Sequence, residues 1–225
     1  MIPRDKWNQL LMTGAWRMLD AAAKLKRQMK LTESGKNVPA RRSRRLIREF
    51  FERRTLRVAR DLLGKVIVRR IEKQKISVMI TETEAYIGEG DLASHARFGR
   101  TKRNAVMYGH AGVWYPYFIY GMHWMLNVTT EGFDRPAAVL IRAGFLIETD
   151  HVIRGPGLLA KALKVDANFY GKSATSGDLY IEDRCYRPKK IIRTPRIGID
   201  YAGAYKDKKW RFVIPNSRNE IHFVK

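Results

Sequence analysis

Between residues 66 and 143 the chain carries a series of short runs rich in β-branched and aromatic residues, separated mostly by turns instead of helices. These runs are residues 66–68, 76–87, 114–120, 122–130 and 137–143. Strands joined by tight turns pair as antiparallel hairpins, whereas parallel strands need long crossover connections. We therefore predict an α+β fold: a single compact domain with a mainly antiparallel β-sheet, flanking helices and a protruding β-hairpin formed by residues 114–130.

Helical and strand patterns on either side of these runs complete the predicted domain. Apolar residues recur at helical spacing over residues 48–63, where Gly64 ends the pattern, and again over residues 158–163. Residues 179–182, 191–199 and 210–213 predict short strands.

The first 48 residues differ from the rest. Residues 5–31 have the spacing of an amphipathic helix with Asp5 as its N-cap, and a basic arm follows, with Arg41, Arg42, Arg44 and Arg45 near its end. Such a helix could pack on the main domain or a partner, or lie on a membrane surface. We predict a basic N-terminal extension over residues 1–48 and a folded domain over residues 49–225.

The charge balance points to a polyanionic partner. The 225 residues include 44 Lys or Arg and 22 Asp or Glu, which gives a formal net charge of +22. Nucleic acid is the usual polyanion that neutralises such an excess, while a basic solvated surface and a weak membrane-surface binder remain alternatives. A hydrophobic share of 45% excludes disorder for most of the chain. The single cysteine, Cys185, excludes an internal disulfide and a cysteine-rich zinc module.

Two carboxylates and a tyrosine continue the apolar face of the strand over residues 76–87. With a period of two, the face that carries Val78 and Ile80 extends into Glu82, Glu84 and Tyr86. Two carboxylates about 7 Å apart at the edge of a core raise the pKa of at least one of them. This face is a candidate acid or base site, and a strand end that emerges into solvent is the alternative.

A dense aromatic string follows. Tyr115 and Tyr117 share one face of a strand, and Pro116 between them indicates an edge strand because proline cannot donate to a ladder. Tyr120 falls where the hairpin turns, a poor place to bury an aromatic ring. In a basic protein such rings are candidates to stack on bases or to wedge between them. For each ring other than Tyr120, an ordinary core position remains open.

Buried polar residues supply further candidates. Arg142 follows the apolar run 137–141 and needs a carboxylate or a phosphate as a partner, and Asn127 inside a strand needs hydrogen-bond partners. The Gly155-Pro156-Gly157 segment ahead of a helix is a weak indication of a phosphate-binding site, and an ordinary helix start explains it equally well. The five histidines lack metal-ligand spacing, and no P-loop, dinucleotide fingerprint or nucleophile elbow occurs.

Taken together, the motifs resemble those of the alkyladenine (3-methyladenine) DNA glycosylase family, in its bacterial form more than its animal form. The carrying segments are ITETEAY (80–86), ASHARFGRTKRN (93–104), residues 112–127 with YPYFIYGMHWMLN, AAVLIRA (137–143), RGPG (154–157) and RIGIDYAG (196–203). They occur in the family's order over residues 50–225. The extension and Pro116 depart from the family pattern.

The resemblance implies roles for named residues. Glu84 corresponds to the general base that activates water, and Arg142 to the residue that holds this water and Glu84. Tyr86, His95, Tyr117 and Asn127 correspond to the base pocket, with Asn127 disfavouring the amino group of ordinary guanine. Tyr120 corresponds to the wedge that intercalates into DNA.

The resemblance also implies partners and an activity. The basic residues expected to contact the DNA backbone are Arg100, Lys102, Arg103 and Arg154. The implied enzyme is a monofunctional DNA glycosylase of base excision repair, which excises damaged purines from duplex DNA without metal or cofactor and leaves an abasic site. We expect a monomer that is cytoplasmic and nucleoid-associated if bacterial, with no membrane partner. A non-enzymatic basic nucleic-acid-binding protein is the alternative.

Overall fold

A computed structural model describes residues 43–119 and 121–215. The predicted helix over residues 5–31 and the proposed wedge Tyr120 lie outside the described residues. Within them, the strands are β1 (Arg44–Arg45), β2 (Val66–Ile71), β3 (Gln74–Ile87), β4 (Trp114–Ile119), β5 (His123–Thr129), β6 (Ala137–Leu146), β7 (His151–Arg154), β8 (Leu179–Asp183), β9 (Ile192–Thr194) and β10 (Arg211–Val213). The α-helices are α1 (Arg48–Phe51), α2 (Thr55–Asp61) and α3 (Pro156–Ala162).

The strands form one sheet in which each described pair is antiparallel. The main path runs β1-β8-β2-β3-β6-β5-β4, while β10 pairs with β3 and β9, and β7 pairs with β6. Short helices pack against this sheet, so the α+β prediction is confirmed. Strand β4 ends the path, which confirms the edge position predicted from Pro116.

Strand β3 is the centre of the sheet and sets the position of the carboxylates. Its 14 residues pair with β2 and β10 along one edge and with β6 along the other. Glu84 consequently lies opposite Leu140 on one side and Arg211 on the other. A local irregularity in the β3–β6 register occurs around Glu82.

The main hydrophobic core includes residues of α2 and of the central strands, which pack against each other. Val58, Ala59 and Leu62 are fully buried, and the Thr83 hydroxyl donates a hydrogen bond of 2.7 Å to the carbonyl of Ala59. Burial of these apolar side chains fixes α2 over the same strand that carries Glu84.

The single helix predicted over residues 48–63 is wrong, because residues 52–54 separate α1 from α2. Arg54 has an extended backbone conformation, and the amide and hydroxyl of Thr55 both donate to the Glu131 carboxylate. These hydrogen bonds to a distant side chain outweigh the local helical pattern.

Three strands of the structure also differ from what the sequence predicts. The strand predicted over residues 191–199 is restricted to β9, because Pro195 follows it and Arg196 turns inward to a buried partner. Strands β1 and β7 were not predicted. Because β1 pairs with β8 and Leu46 is buried, the sheet begins before residue 49.

Gly144 allows β3 and β6 to approach each other closely at the centre of the sheet. It pairs with Ile80 on β3 and Ile153 on β7, and a Cβ atom here would overlap Val78 Cγ1 and lie 2.9 Å from the Met79 carbonyl oxygen. A backbone oxygen between paired strands cannot move away readily. We therefore expect Gly144→Ala to lower the free energy of unfolding by about 1–3 kcal/mol, the usual cost of overpacking.

Urea denaturation measures this loss, and Gly132→Ala provides the matched control. A Cβ at Gly132 meets no atom within 4 Å, so this change should stay within about 0.5 kcal/mol. Equal effects of the two substitutions would contradict the packing explanation.

Candidate active site

A cavity of about 300 Å³ opens where β3, β4, β5 and β6 lie side by side. Five residues predicted from the sequence line this cavity, which we call the base pocket: Tyr86, His95, Tyr117, Asn127 and Arg142. Sequence reasoning missed Met107, Tyr201 and the segment 197–199, which also line it. The pocket therefore combines aromatic walls with a few polar groups, as small-molecule sites usually do.

Glu84 lies in the wall behind this pocket and is fully buried. Its Oε2 atom accepts a hydrogen bond of 2.8 Å from the Tyr86 hydroxyl and lies 3.3 Å from Nη1 of Arg142. Its Oε1 atom accepts a hydrogen bond of 2.9 Å from the Ile197 amide. The strand interpretation that brought Glu84 and Tyr86 to one face is confirmed, and the solvent-exposed alternative is wrong.

Burial raises the pKa of Glu84 above its usual value, as the sequence predicts for at least one carboxylate. Desolvation is the largest cause, whereas Arg142 and the hydrogen bonds from Ile197 and Tyr86 act in the opposite direction. The like charge of Glu82 adds only a minor contribution. A buried carboxylate with a raised pKa, held by three donors beside a cavity, is a strong candidate for a general base.

Arg142 receives the partner that its position requires. Its Nε atom donates to Oε1 of Glu82 at 3.1 Å, and Nη1 of Arg211 donates to the same oxygen at 2.8 Å. Glu82 thus bridges two guanidinium groups through one oxygen and holds Arg142 at the pocket wall. This is a positioning contact that sequence reasoning left without a role.

Stacked rings form another part of the pocket wall. The His95 ring stacks on Tyr117 with centroids 3.7 Å apart, and its Nδ1 atom lies 3.0 Å from the Tyr115 hydroxyl. Desolvation lowers the pKa of His95 to about 4 even though the residue is partly exposed, and the nearby Arg103 and Arg97 contribute. His95 is consequently neutral at physiological pH, although part of its ring faces the cavity.

Asn127 finds the hydrogen-bond partner predicted for it. This buried side chain donates through Nδ2 to the carbonyl of Tyr115 at 3.0 Å, across the β4–β5 pair. The bond fixes the orientation of an amide that lines the pocket.

A buried ion pair supports the loop that contacts Glu84. Arg196 and Asp91 form two hydrogen bonds of 2.6 and 2.8 Å, and both side chains are fully buried. The Asp91 carboxylate also accepts from the amides of Ile87 and Ala93, and Arg196 lies over the Tyr86 ring. Because Ile197 follows Arg196, this pair fixes the amide that donates to Glu84. The partners are 105 residues apart, and no local sequence pattern indicates their pairing.

The four predicted DNA-backbone residues are exposed. Arg100, Lys102 and Arg103 lie on one loop near the pocket, and Arg103 covers the Tyr117 ring at 3.9 Å. Arg154 ends β7, ahead of Pro156, which lines the pocket.

Within residues 43–119 and 121–215, no group of three or more His, Cys, Asp or Glu side chains is arranged to hold a metal ion. No helix in that part of the chain is both long and apolar enough to span a bilayer.

Fold and site together define the class of protein: an α+β enzyme with an aromatic pocket beside a buried carboxylate. The model of the methylpurine-DNA glycosylase family matches residues 49–218, well over half of the chain. The chain therefore belongs to the methylpurine-DNA glycosylase family.

Similar proteins from several organisms have names that are consistent with this family. A Methanocella arvoryzae protein assigned as a 3-methyladenine DNA glycosylase is 46% identical over 187 residues, covering 76% of this chain and 93% of its own. Similarly assigned proteins from an Anaeromyxobacter species and Desulfitobacterium hafniense are 47% and 40% identical, with 89% and 97% of their lengths covered.

Proposed function

We propose that this protein is a monofunctional DNA glycosylase that removes alkylated or deaminated purines from duplex DNA by hydrolysis. The observation that carries the proposal is the buried Glu84 carboxylate, held by Arg142 and Tyr86, two residues that line a pocket of about 300 Å³. Family membership and the names of the relatives support the same reaction.

In the proposed reaction Glu84 accepts a proton from water as the water oxygen bonds to the anomeric carbon. The N-glycosidic bond breaks, and its electron pair leaves with the purine. An N3- or N7-alkylated purine carries a positive charge that this electron pair neutralises, so the leaving base needs no proton. Hypoxanthine is neutral, so it leaves as an anion and takes up a proton from the solvent. The negative carboxylate also stabilises the oxocarbenium-like sugar, and Arg142 orients both the carboxylate and the water.

The pocket walls favour an electron-poor purine. Tyr86 and the neutral His95, which is stacked on Tyr117, offer aromatic surface, to which cationic or electron-poor rings are attracted. We propose that Asn127, fixed through the Tyr115 carbonyl, disfavours the exocyclic amino group of guanine.

Access to this pocket requires that the damaged nucleotide leave the duplex, at a cost of a few kcal/mol. We propose that Tyr120 fills the space it vacates. Phosphate contacts by Arg100, Lys102, Arg103 and Arg154 offset part of the cost. The protein is expected to act as a monomer, in the cytoplasm with the nucleoid if bacterial.

The test is a release assay with duplexes that carry 3-methyladenine, 7-methylguanine or hypoxanthine. Free base and an alkali-labile abasic site should appear without strand cleavage. If the wild-type protein releases none of these bases, the proposal fails, and a non-enzymatic nucleic-acid-binding protein becomes the better description.

The pH dependence of release tests the role of Glu84. Since the base must be ionised, the rate should rise with pH through a pKa above the ordinary value of 4.5. Arg142 lowers the pKa of Glu84, so Arg142→Gln should move this acidic limb to higher pH in addition to reducing the rate. Single-turnover rates between about pH 4 and pH 9 measure both effects. An acidic limb that stays in place in the variant would contradict the assignment of the pKa to Glu84.

A further inference from the structure

A second cavity, of about 330 Å³, lies directly beside the base pocket. The two cavities share four lining residues: Ala93, His95, Tyr117 and Tyr201. We call the second cavity the side cleft; its other lining residues are Ser94, Arg97, Phe98, Thr101, Arg103 and Asn104. A ligand in the side cleft would therefore be the immediate neighbour of a base in the base pocket.

The side cleft presents aromatic rings to solvent in a fixed arrangement. Phe98 is 80% exposed and Tyr201 is 63% exposed. The Arg97 guanidinium lies 4.5 Å from the centre of the Phe98 ring and 4.7 Å from that of Tyr201, and it donates a hydrogen bond to the Leu92 carbonyl. Arg97 thus holds two exposed rings at the mouth of the cleft.

The charge of the side cleft matches an anion. Both Arg97 and Arg103 line it, and Arg103 lies over Tyr117, one of the residues that line both cavities. Exposed aromatic rings beside guanidinium groups are the combination that binds unstacked nucleotides, because the rings stack on the base while the cations contact phosphate.

We propose that the side cleft binds the nucleotide next to the flipped one in the damaged strand. Phe98 stacks on its base, and Arg97 and Arg103 contact the connecting phosphate. The inference rests on the proposed function, since it is the flipped nucleotide in the base pocket that brings its neighbour to the side cleft. Stacking on Phe98 then replaces part of the stacking that the neighbour loses when the duplex opens.

The test uses duplexes with a hypoxanthine nucleotide that carries 2′-fluorine, which resists base release, and with 2-aminopurine as a fluorescent neighbour. The 2-aminopurine is placed on the 5′ side, on the 3′ side, or three nucleotides away. Because stacked nucleobases quench 2-aminopurine strongly and a phenylalanine ring does so only weakly, one of the two adjacent positions should brighten on binding the wild-type protein. The fluorescence of 2-aminopurine placed three nucleotides away should not change.

Phe98→Ala should abolish most of this signal and weaken binding about fivefold or more, the factor at the lower end for loss of a base–aromatic stack. Phe98→Tyr should restore the affinity, because a tyrosine ring stacks on a base as phenylalanine does. Phe133→Ala is the matched control: Phe133 is also exposed, at 64%, but lines neither cavity, so its loss should leave the signal unchanged.

Two results would overturn the inference: equal brightening with wild type and Phe98→Ala, or weaker binding by Phe98→Ala when neither adjacent position brightens in the wild type. The second result would mean that Phe98 contacts only the DNA backbone. Failure of the proposed function is read separately, as absence of base release from ordinary lesion duplexes.

Discussion

Replacing Glu84 with Gln should lower the single-turnover rate of base release by about 10²- to 10⁴-fold, the contribution of a well-placed general base. Glutamine has nearly the same shape but accepts no proton from water at neutral pH. The three donors around the carboxylate, from Tyr86, Arg142 and Ile197, fix its position. Affinity for damaged duplex should stay within a few-fold of wild type, because Glu84 is buried behind the pocket.

Glu82→Gln is the matched control for this experiment. Glu82 lies two residues away on the same face and also contacts Arg142, but its second donor is Arg211, and neither Tyr86 nor Ile197 donates the hydrogen bonds to it that they donate to Glu84. We expect its loss to reduce release much less than the loss of Glu84. Comparable losses in the two variants would indicate that the charge balance around Arg142, and not proton transfer to Glu84, limits the reaction.

Replacing Asp91 with Asn should lower the free energy of unfolding by about 3–5 kcal/mol, because it leaves the Arg196 guanidinium buried without a counter-ion. The remaining contacts of Arg196, a hydrogen bond to the Ala85 carbonyl and the rings of Tyr86 and Trp210, do not neutralise its charge. Urea denaturation measures the loss. Release should fall as well, since the amide of Ile197 follows Arg196 in the chain.

Two further variants test whether burial makes the Asp91–Arg196 pair matter more for stability than a half-exposed ion pair does. Asp61→Asn removes the partner of Arg53 in a half-exposed pair and should cost about 1 kcal/mol or less. The double change of Asp91→Leu with Arg196→Met should recover part of the stability, because it leaves no unpaired buried charge, although the amides of Ile87 and Ala93 lose their acceptor. If Asp91→Asn is no more destabilising than Asp61→Asn, the explanation is wrong.

The strand pattern could be predicted because its signals are local. The alternation over residues 76–87 identifies β3, and its period of two places Glu84 and Tyr86 on one face. Pro116 identifies β4 as an edge strand by the same kind of local constraint.

Elements whose bounds depend on distant contacts were predicted less well. The chain between α1 and α2 is broken by hydrogen bonds to Glu131, 76 residues from Thr55. The strand predicted to continue to residue 199 ends before Arg196, which turns toward Asp91. No periodicity within either segment carries information about those partners.

The sequence by itself determined the antiparallel α+β class, the strong positive charge and the face that joins two carboxylates to a tyrosine. Only the tertiary structure decided what covers that face: full burial of Glu84, its hydrogen bond from Ile197 113 residues away, and the Asp91–Arg196 pair that supports this amide. The physical reason is that periodicity depends on neighbours in the chain, whereas burial and the pKa shift that follows from it depend on segments brought together by folding.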